Sequence, residues 1–129
     1  GLSQKRTTGV AGAYDFSRDL LTIVKFDVPV EPALYGNSQW QKEQADPYGG
    51  DVFQSYNNGV AGEPGKRAPD AFYELESASP VRPLAPGESI RHRHATFHLQ
   101  GPRAELDRVA KSVLGVELDE VARAFEFRD

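Results

Sequence analysis

Alternation of apolar and polar side chains predicts a series of short β-strands in residues 1–101. The strongest apolar run spans residues 20–28 and ends at Pro29. Shorter runs at 51–56, 71–77 and 89–100 alternate in the same way, and residues 1–14 are predicted as an extended lead-in or an edge strand. Proline and glycine clusters separate these runs and indicate turns between them.

After Gly101 the apolar period lengthens from two residues to about 3.6, which predicts helices. The first should begin near Pro102 and end at Gly115, and a second, shorter helix should follow. Their apolar stripes consist of Leu106, Val109, Ala110, Val113 and Leu114, then Leu118, Val121, Ala122 and Phe125. The pattern predicts one mostly β domain over residues 1–129, with antiparallel strands at 1–101 and a helical cap at 102–129, of either the all-β or the α+β class.

Length and composition narrow the classes of protein to which the chain can belong. Its 129 residues fit one domain, and the net charge of -4 argues against a nucleic-acid partner. The two C-terminal helices resemble a helix-turn-helix in pattern, but Glu117, Asp119 and Glu120 would repel phosphates. No apolar run reaches membrane-spanning length, and the absence of cysteine rules out disulfides and thiolate sites. The chain starts at Gly1 and has no methionine, so we expect a piece of a longer protein.

Titratable side chains concentrate in the runs 71–77 and 89–100, which we predict to pair across a proline-rich turn. Alternation places Glu74 and Glu76 on one face of the first run and His92, His94 and His98 on one face of the second. Pairing would bring both groups to a shared surface. Repulsion between the two carboxylates favours the protonated form of one of them, which suits general acid–base chemistry.

Two other interpretations of these side chains stay open. The glutamates could face solvent or pair with Arg91 or Arg93 on the next strand. The three histidines could hold a metal, because alternate residues of a strand converge on one side, and the run from Gly87 to His98 is similar to a cupin metal-binding strand except that its spacing differs by one residue. The glutamate of that cupin pattern and its second histidine motif are both missing, so we expect no metal and no other cofactor.

Aromatic and amide side chains in the middle of the chain suit a carbohydrate ligand. A flat ring covers the apolar face of a sugar, and amide and carboxylate groups bind its hydroxyls. Trp40 could instead fill the end of a β-sandwich. The candidate sugar-binding residues are Trp40, Tyr48, Asn37, Asp51, Asn57 and His98, with Tyr56, Gln39 and Asn58 nearby.

The runs FYELESASP and LAPGESIRHRHATFHLQG resemble the C-terminal half of the galactose mutarotase-like (aldose 1-epimerase) β-supersandwich superfamily. More narrowly, the runs KRTTGVAGAYD, LLTIVKFDVP, NSQWQKE and PYGGDVFQSYNNG resemble an uncharacterised bacterial family within it. By this resemblance Glu74 corresponds to the catalytic base of the sugar epimerases, and Glu76 stands where they have a glutamine. Their general acid is a histidine that precedes this glutamate, whereas no histidine precedes His92 here.

The resemblance implies a mostly β fold, an antiparallel β-sandwich that is a fragment of the supersandwich and is closed by two short C-terminal helices. It also implies a carbohydrate-binding domain, either part of a sugar epimerase or other sugar-active enzyme, or a glycan-binding module without catalysis. The catalytic candidates are Glu74, Glu76, His92 and His94. A complete supersandwich is about twice this length, so we expect a dimer or association with a missing N-terminal half. No membrane or nucleic-acid partner is expected. The compartment stays open, with a periplasmic or secreted location favoured.

Overall fold

The chain is mostly β, with two short helices at its C-terminal end, as the sequence predicts. The structure is a computed structural model and describes residues 1–39, 41–59, 63, 66 and 70–124. The strands in these residues are β1 (Val10–Asp15), β2 (Leu20–Phe26), β3 (Phe53–Asn57), β4 (Tyr73–Ser77) and β5 (His94–Gln100). The helices are α1 (Arg103–Leu114) and α2 (Leu118–Ala124), and a 3-10 turn spans Gln4–Arg6.

The chain is divided into two compact units. The first consists of Gly1–Gly9 and Phe26–Arg93 and contains a two-stranded antiparallel sheet of β3 and β4. The second consists of Val10–Lys25 and His94–Asp129 and contains a three-stranded sheet in the order β1-β2-β5, together with both helices. Within the described residues, neither helix is long and apolar enough to cross a membrane.

The core of the second unit lies between strand β2 and the two helices. Leu21 and Ile23 point from one face of β2 and pack with Leu106 and Ala110 of α1 and with Leu118 of α2. All five side chains are at most 4% exposed, which accounts for the 3.6-residue stripe in the sequence. Burial of this stripe against the strand is what stabilises two helices of only 12 and 7 residues.

Close approach of α1 to strand β1 requires a glycine in the strand. A Cβ atom at Gly12 would lie 2.6 Å from Cδ1 of Leu114 and 3.0 Å from the carbonyl oxygen of Thr22. Glycine therefore allows the end of α1 to pack directly on the backbone of β1.

The turn between the helices is fixed by a left-handed residue and a side-chain cap. Gly115 ends α1 with φ 75°, and its N–H donates to the carbonyl of Lys111. The carboxylate of Asp107 then accepts a 2.7 Å hydrogen bond from the N–H of Leu118, the first residue of α2. Lys111 and Glu117 form an ion pair across the same turn, and its hydrogen bond raises the pKa of Lys111.

The first unit also buries apolar side chains. Phe26 and Phe53 stack with ring centroids 5.4 Å apart, and Val52 and Tyr35 are also buried. Burial raises the pKa of the Tyr35 phenol. Its hydroxyl has no hydrogen-bond partner within the described part of the chain.

The predicted pairing of 71–77 with 89–100 is wrong. Strand β4 pairs with β3, and β5 pairs with β2 in the other sheet. The run 89–100 becomes a strand only from His94, and residues 78–93 between β4 and β5 include a turn at Ala85–Glu88 instead of a hairpin. Alternation shows which side chains share a face of a strand, but it does not identify the neighbouring strand.

The other predicted elements have the expected type. The helix predicted from Pro102 to Gly115 is α1, and the run 20–28 contains β2. Strand β1 is an edge strand, one of the two alternatives for residues 1–14. Phe125, assigned to the stripe of the second helix, lies outside the described residues.

Truncation of Leu106 should strongly destabilise the protein. Leu106→Ala leaves a cavity beside Leu21 and Ile23, and such changes cost about 2–5 kcal/mol in free energy of unfolding. Val113→Ala, at a position on α1 that is 44% exposed, is the matched control and should cost much less. Urea denaturation followed by circular dichroism measures both, and equal losses would contradict this description of the core.

Candidate functional site

One face of the β3–β4 ribbon collects polar and aromatic side chains of the first unit. Tyr56 lies directly opposite Glu74, and Gln54 lies directly opposite Glu76. Opposite residues of an antiparallel pair point to the same face, so these four side chains share one surface. Phe72 lies just before β4 and contacts Tyr56, with ring centroids 6.1 Å apart. We call Gln54, Tyr56, Phe72, Glu74 and Glu76 the ribbon face.

The ribbon face is open to solvent and presents complementary chemical groups. Tyr56 and Phe72 are 47% and 49% exposed, and both glutamates are exposed. Gln54 is half-buried, and its amide oxygen accepts a 2.6 Å hydrogen bond from the hydroxyl of Ser38. The surface thus offers apolar ring faces beside carboxylate oxygens, the combination that a sugar ring with its hydroxyls requires.

Asn58 connects the two ends of the loop between β3 and β4. Its amide oxygen accepts a 2.7 Å hydrogen bond from the N–H of Phe72, and its amide nitrogen donates to the carbonyl of Asp70 at 3.2 Å. The N–H of Asn58 also donates to the carbonyl of Phe72. These bonds continue the ladder by one residue pair and hold Phe72 beside Tyr56.

Asn37 and Asn57, which the sequence proposes as sugar contacts, also have main-chain partners. Asn57 accepts a hydrogen bond from the N–H of Gly59, and Asn37 accepts one from the N–H of Gln39. Asn37 also donates to the carbonyl of Asp46. Their short side chains therefore stabilise turns, as asparagine commonly does.

The remaining proposed sugar contacts of the first unit do not lie on the ribbon strands. Tyr48 is 52% exposed and follows the turn at Asp46, which accepts a hydrogen bond from its N–H. One carboxylate oxygen of Asp51 lies 3.9 Å from the amino group of Gly1. Trp40, proposed as a stacking platform, lies outside the described residues.

His92 belongs to the other face of the ribbon. Its Nε2 lies 2.8 Å from the hydroxyl of Ser77, which points away from Glu74 and Glu76 because side chains alternate along β4. Ser77 lies opposite the buried Phe53 in the ladder. The prediction that Glu74 and His92 converge on one surface is therefore wrong.

His94 and His98 lie on β5, in the second unit, and contact hydroxyls there. Nδ1 of His98 is 3.1 Å from the hydroxyl of the buried Thr22, and Nε2 of His94 is 3.3 Å from that of Thr96. No three histidine, aspartate or glutamate side chains of the described residues are grouped so that they could hold a metal ion. The alternative of a cupin-like site at His92, His94 and His98 therefore has no geometric support.

An ion pair fixes the chain just after His92. The carboxylate of Asp27 accepts hydrogen bonds from the main-chain N–H of Arg93 at 3.1 Å and from its Nε at 3.2 Å. The N–H of Asp27 donates in turn to the carbonyl of Arg93. The hydrogen bond from the Arg93 side chain, followed by its positive charge, lowers the pKa of Asp27 below the ordinary value of 3.8.

Gln54 and Phe72 are not among the site residues that the sequence predicts. Two signals were available: Phe72 shares a face with Glu74 and Glu76 by alternation, and Gln54 shares one with Tyr56. The missing information was that the run 51–56 pairs with the run 71–77 across a long loop.

Comparison with known proteins identifies a family but no activity. A family described as a family of unknown function (DUF6786) matches residues 1–125. No curated protein and no solved structure gives a significant match to the chain.

We expect Asp27 to contribute to stability only while its carboxyl is ionised. Its pKa is lower in the folded than in the unfolded chain, so its contribution is present above about pH 4 and is lost as the pH falls through the lowered folded value. In Asp27→Asn the free energy of unfolding should therefore fall less steeply between about pH 5 and 3.

Urea titrations at several pH values measure this slope. Glu31→Gln is the control, because in the described residues Glu31 accepts a hydrogen bond through its main-chain carbonyl and not its carboxylate. An unchanged slope in Asp27→Asn would contradict the role assigned to the Asp27–Arg93 pair.

Proposed function

The chain belongs to the DUF6786 family, and we propose that it is a carbohydrate-binding domain whose ligand contacts the ribbon face. The observation that carries this proposal is the direct cross-strand pairing of Tyr56 with Glu74, with the ring of Phe72 beside Tyr56. An aromatic surface next to a carboxylate can accept the apolar face of a sugar and bind its hydroxyls at the same time.

The resemblance to the galactose mutarotase-like superfamily supports the same class of ligand. It assigns to Glu74 the position of an epimerase base, and Glu74 is exposed on the ribbon face, where a bound sugar could reach it. Glu76, two residues further along β4, points to the same face and could bind a second hydroxyl. The proposal therefore places both glutamates, but not the histidines, in contact with the ligand.

Binding without turnover is the form of the proposal that the geometry favours. General acid–base catalysis needs a second group within reach of the same substrate, and His92 lies on the opposite face of the ribbon. Epimerase chemistry on the ribbon face would therefore need either Glu76, which shares the face with Glu74, or a group from outside the face as its acid.

Changes on the ribbon face should weaken sugar binding. Tyr56→Ala removes the stacking ring and should raise the Kd about tenfold or more, equivalent to roughly 1.4 kcal/mol. Glu74→Gln keeps the shape but removes charge-assisted hydrogen bonds, so it should also weaken binding. Glu105→Gln, an exposed carboxylate on α1, is the matched control and should bind normally.

A glycan array followed by isothermal titration of the retained sugars measures these changes. Tyr48→Ala tests the alternative that the sugar stacks on the loop residue Tyr48 and not on the ribbon face. Normal binding by this variant supports the ribbon face. A folded protein that binds no sugar on the array, or binding that both Tyr56→Ala and Glu74→Gln leave unchanged, would overturn the proposal.

Polarimetry of a mutarotating sugar tests the catalytic form separately. Turnover by the unmodified protein that Glu74→Gln abolishes, with the melting temperature unchanged, would establish Glu74 as the base. Turnover that persists in Glu74→Gln would exclude it.

A further inference from the structure

Strand β5 forms an open edge of the sheet in the second unit. The sheet order β1-β2-β5 gives β5 one strand neighbour, β2, among the strands that the structure describes. Six of its seven residues are exposed, and Leu99 alone is half-buried against the core. The outer main-chain groups of such a strand are available for pairing with another strand.

The sequence of β5 lacks the features that usually protect an edge. Its seven residues, HATFHLQ, include no lysine, arginine, aspartate, glutamate, proline or glycine. Strand β1, at the opposite edge, contains Gly12 and Asp15. Natural proteins block exposed edges with charges, prolines, bulges or short strands, so a regular uncharged edge favours association.

We propose that two copies of this chain associate by antiparallel pairing of their β5 strands about a twofold axis at Phe97. A twofold axis requires a segment that is complementary to itself. With the axis at Phe97, Phe97 lies opposite Phe97 of the second copy, Thr96 lies opposite His98, and Ala95 lies opposite Leu99. The two three-stranded sheets would then form one continuous six-stranded sheet.

Each of these cross-strand pairs is favourable. The two Phe97 rings, each 50% exposed in the single chain, would pack on each other. Ala95 and Leu99 form a small apolar pair on the same face. On the other face, His98 already contacts Thr22 through Nδ1, so its Nε2 could bond the Thr96 hydroxyl of the second copy.

Other registers are less favourable for the same segment. An axis at Thr96 would place Arg93 opposite Leu99, and an axis at His98 would place Gly101 opposite Ala95. A register shifted by one residue would place Phe97 opposite Thr96 or His98, whose side chains point to the other, polar face of the strand. With the axis at Phe97 all seven residues of β5 pair, the two aromatic rings meet at the centre, and no lysine, arginine, aspartate or glutamate lies opposite another, so the strand is complementary to itself.

Sedimentation velocity over a range of concentrations tests this dimer. One strand pair buries little surface compared with the roughly 1,600 Å² of a standard interface, so we expect reversible association from the 14.2 kDa monomer to twice that mass. Phe97→Lys sets two like charges against each other at the axis and should yield monomer throughout. Phe72→Lys, at a phenylalanine of similar exposure (49%), is the matched control and should still dimerise.

Disulfide trapping tests the register without relying on a charged variant. The chain has no cysteine, so Phe97→Cys adds a single thiol. Opposite Cα atoms of an antiparallel pair are about 4.5–5.5 Å apart, which a disulfide can span. Mild oxidation should therefore rapidly cross-link Phe97→Cys, and the control Phe72→Cys should cross-link much more slowly.

A monomer at all concentrations, a dimer that persists in Phe97→Lys, or equal cross-linking of the two cysteine variants would each overturn the proposal. Circular dichroism of every variant verifies that the strands are retained. None of these measurements depends on sugar binding.

Discussion

Burial of strand β2 is the constraint on which the second unit depends. Leu21 and Ile23 are buried on one face of the strand, and Thr22 and Val24 are buried on the other. A strand with both faces covered reads as a nearly continuous apolar run, which is why residues 20–28 give the clearest signal in the sequence. Both helices and both neighbouring strands of this unit are held through contacts with β2 or pairing to it. The unit therefore owes its stability to packing around one strand and not to the intrinsic helicity of α1 and α2.

The first unit follows a different principle, because few of its side chains are fully buried. Its loops are held by side chains that bond main-chain groups, as Asn58 does beside Phe72 and Asn37 does beside Gln39. Such bonds satisfy N–H and carbonyl groups that no strand or helix pairs. This gives the polar residues of the middle of the chain a structural purpose that sequence inspection alone attributes to a ligand. The exposed side chains of the ribbon face, in contrast, remain available for recognition.

The sequence predicts the elements of this fold better than their partners. Periodicity identifies α1 and its end at Gly115, because apolar spacing and helix termination are local properties. It also assigns Glu74 and Glu76 to one face of β4. It cannot show that β4 pairs with β3, since that contact closes a loop from residue 58 to 72 and depends on the whole chain. The sequence therefore predicts the candidate site only in part: alternation places Phe72 and the two glutamates on one face, whereas only the strand pairing brings Gln54 and Tyr56 beside them.

The glycine at position 12 limits how the sequences of this family can vary. Leu114 occupies the space that a Cβ atom at Gly12 would need, and the strand carbonyl of Thr22 closes the other side. A larger residue at 12 is therefore compatible with this fold only if position 114 becomes shorter or the helix moves outward. The two positions should covary across related sequences. An alignment alone could therefore show whether the close packing of α1 on β1 is retained in the family.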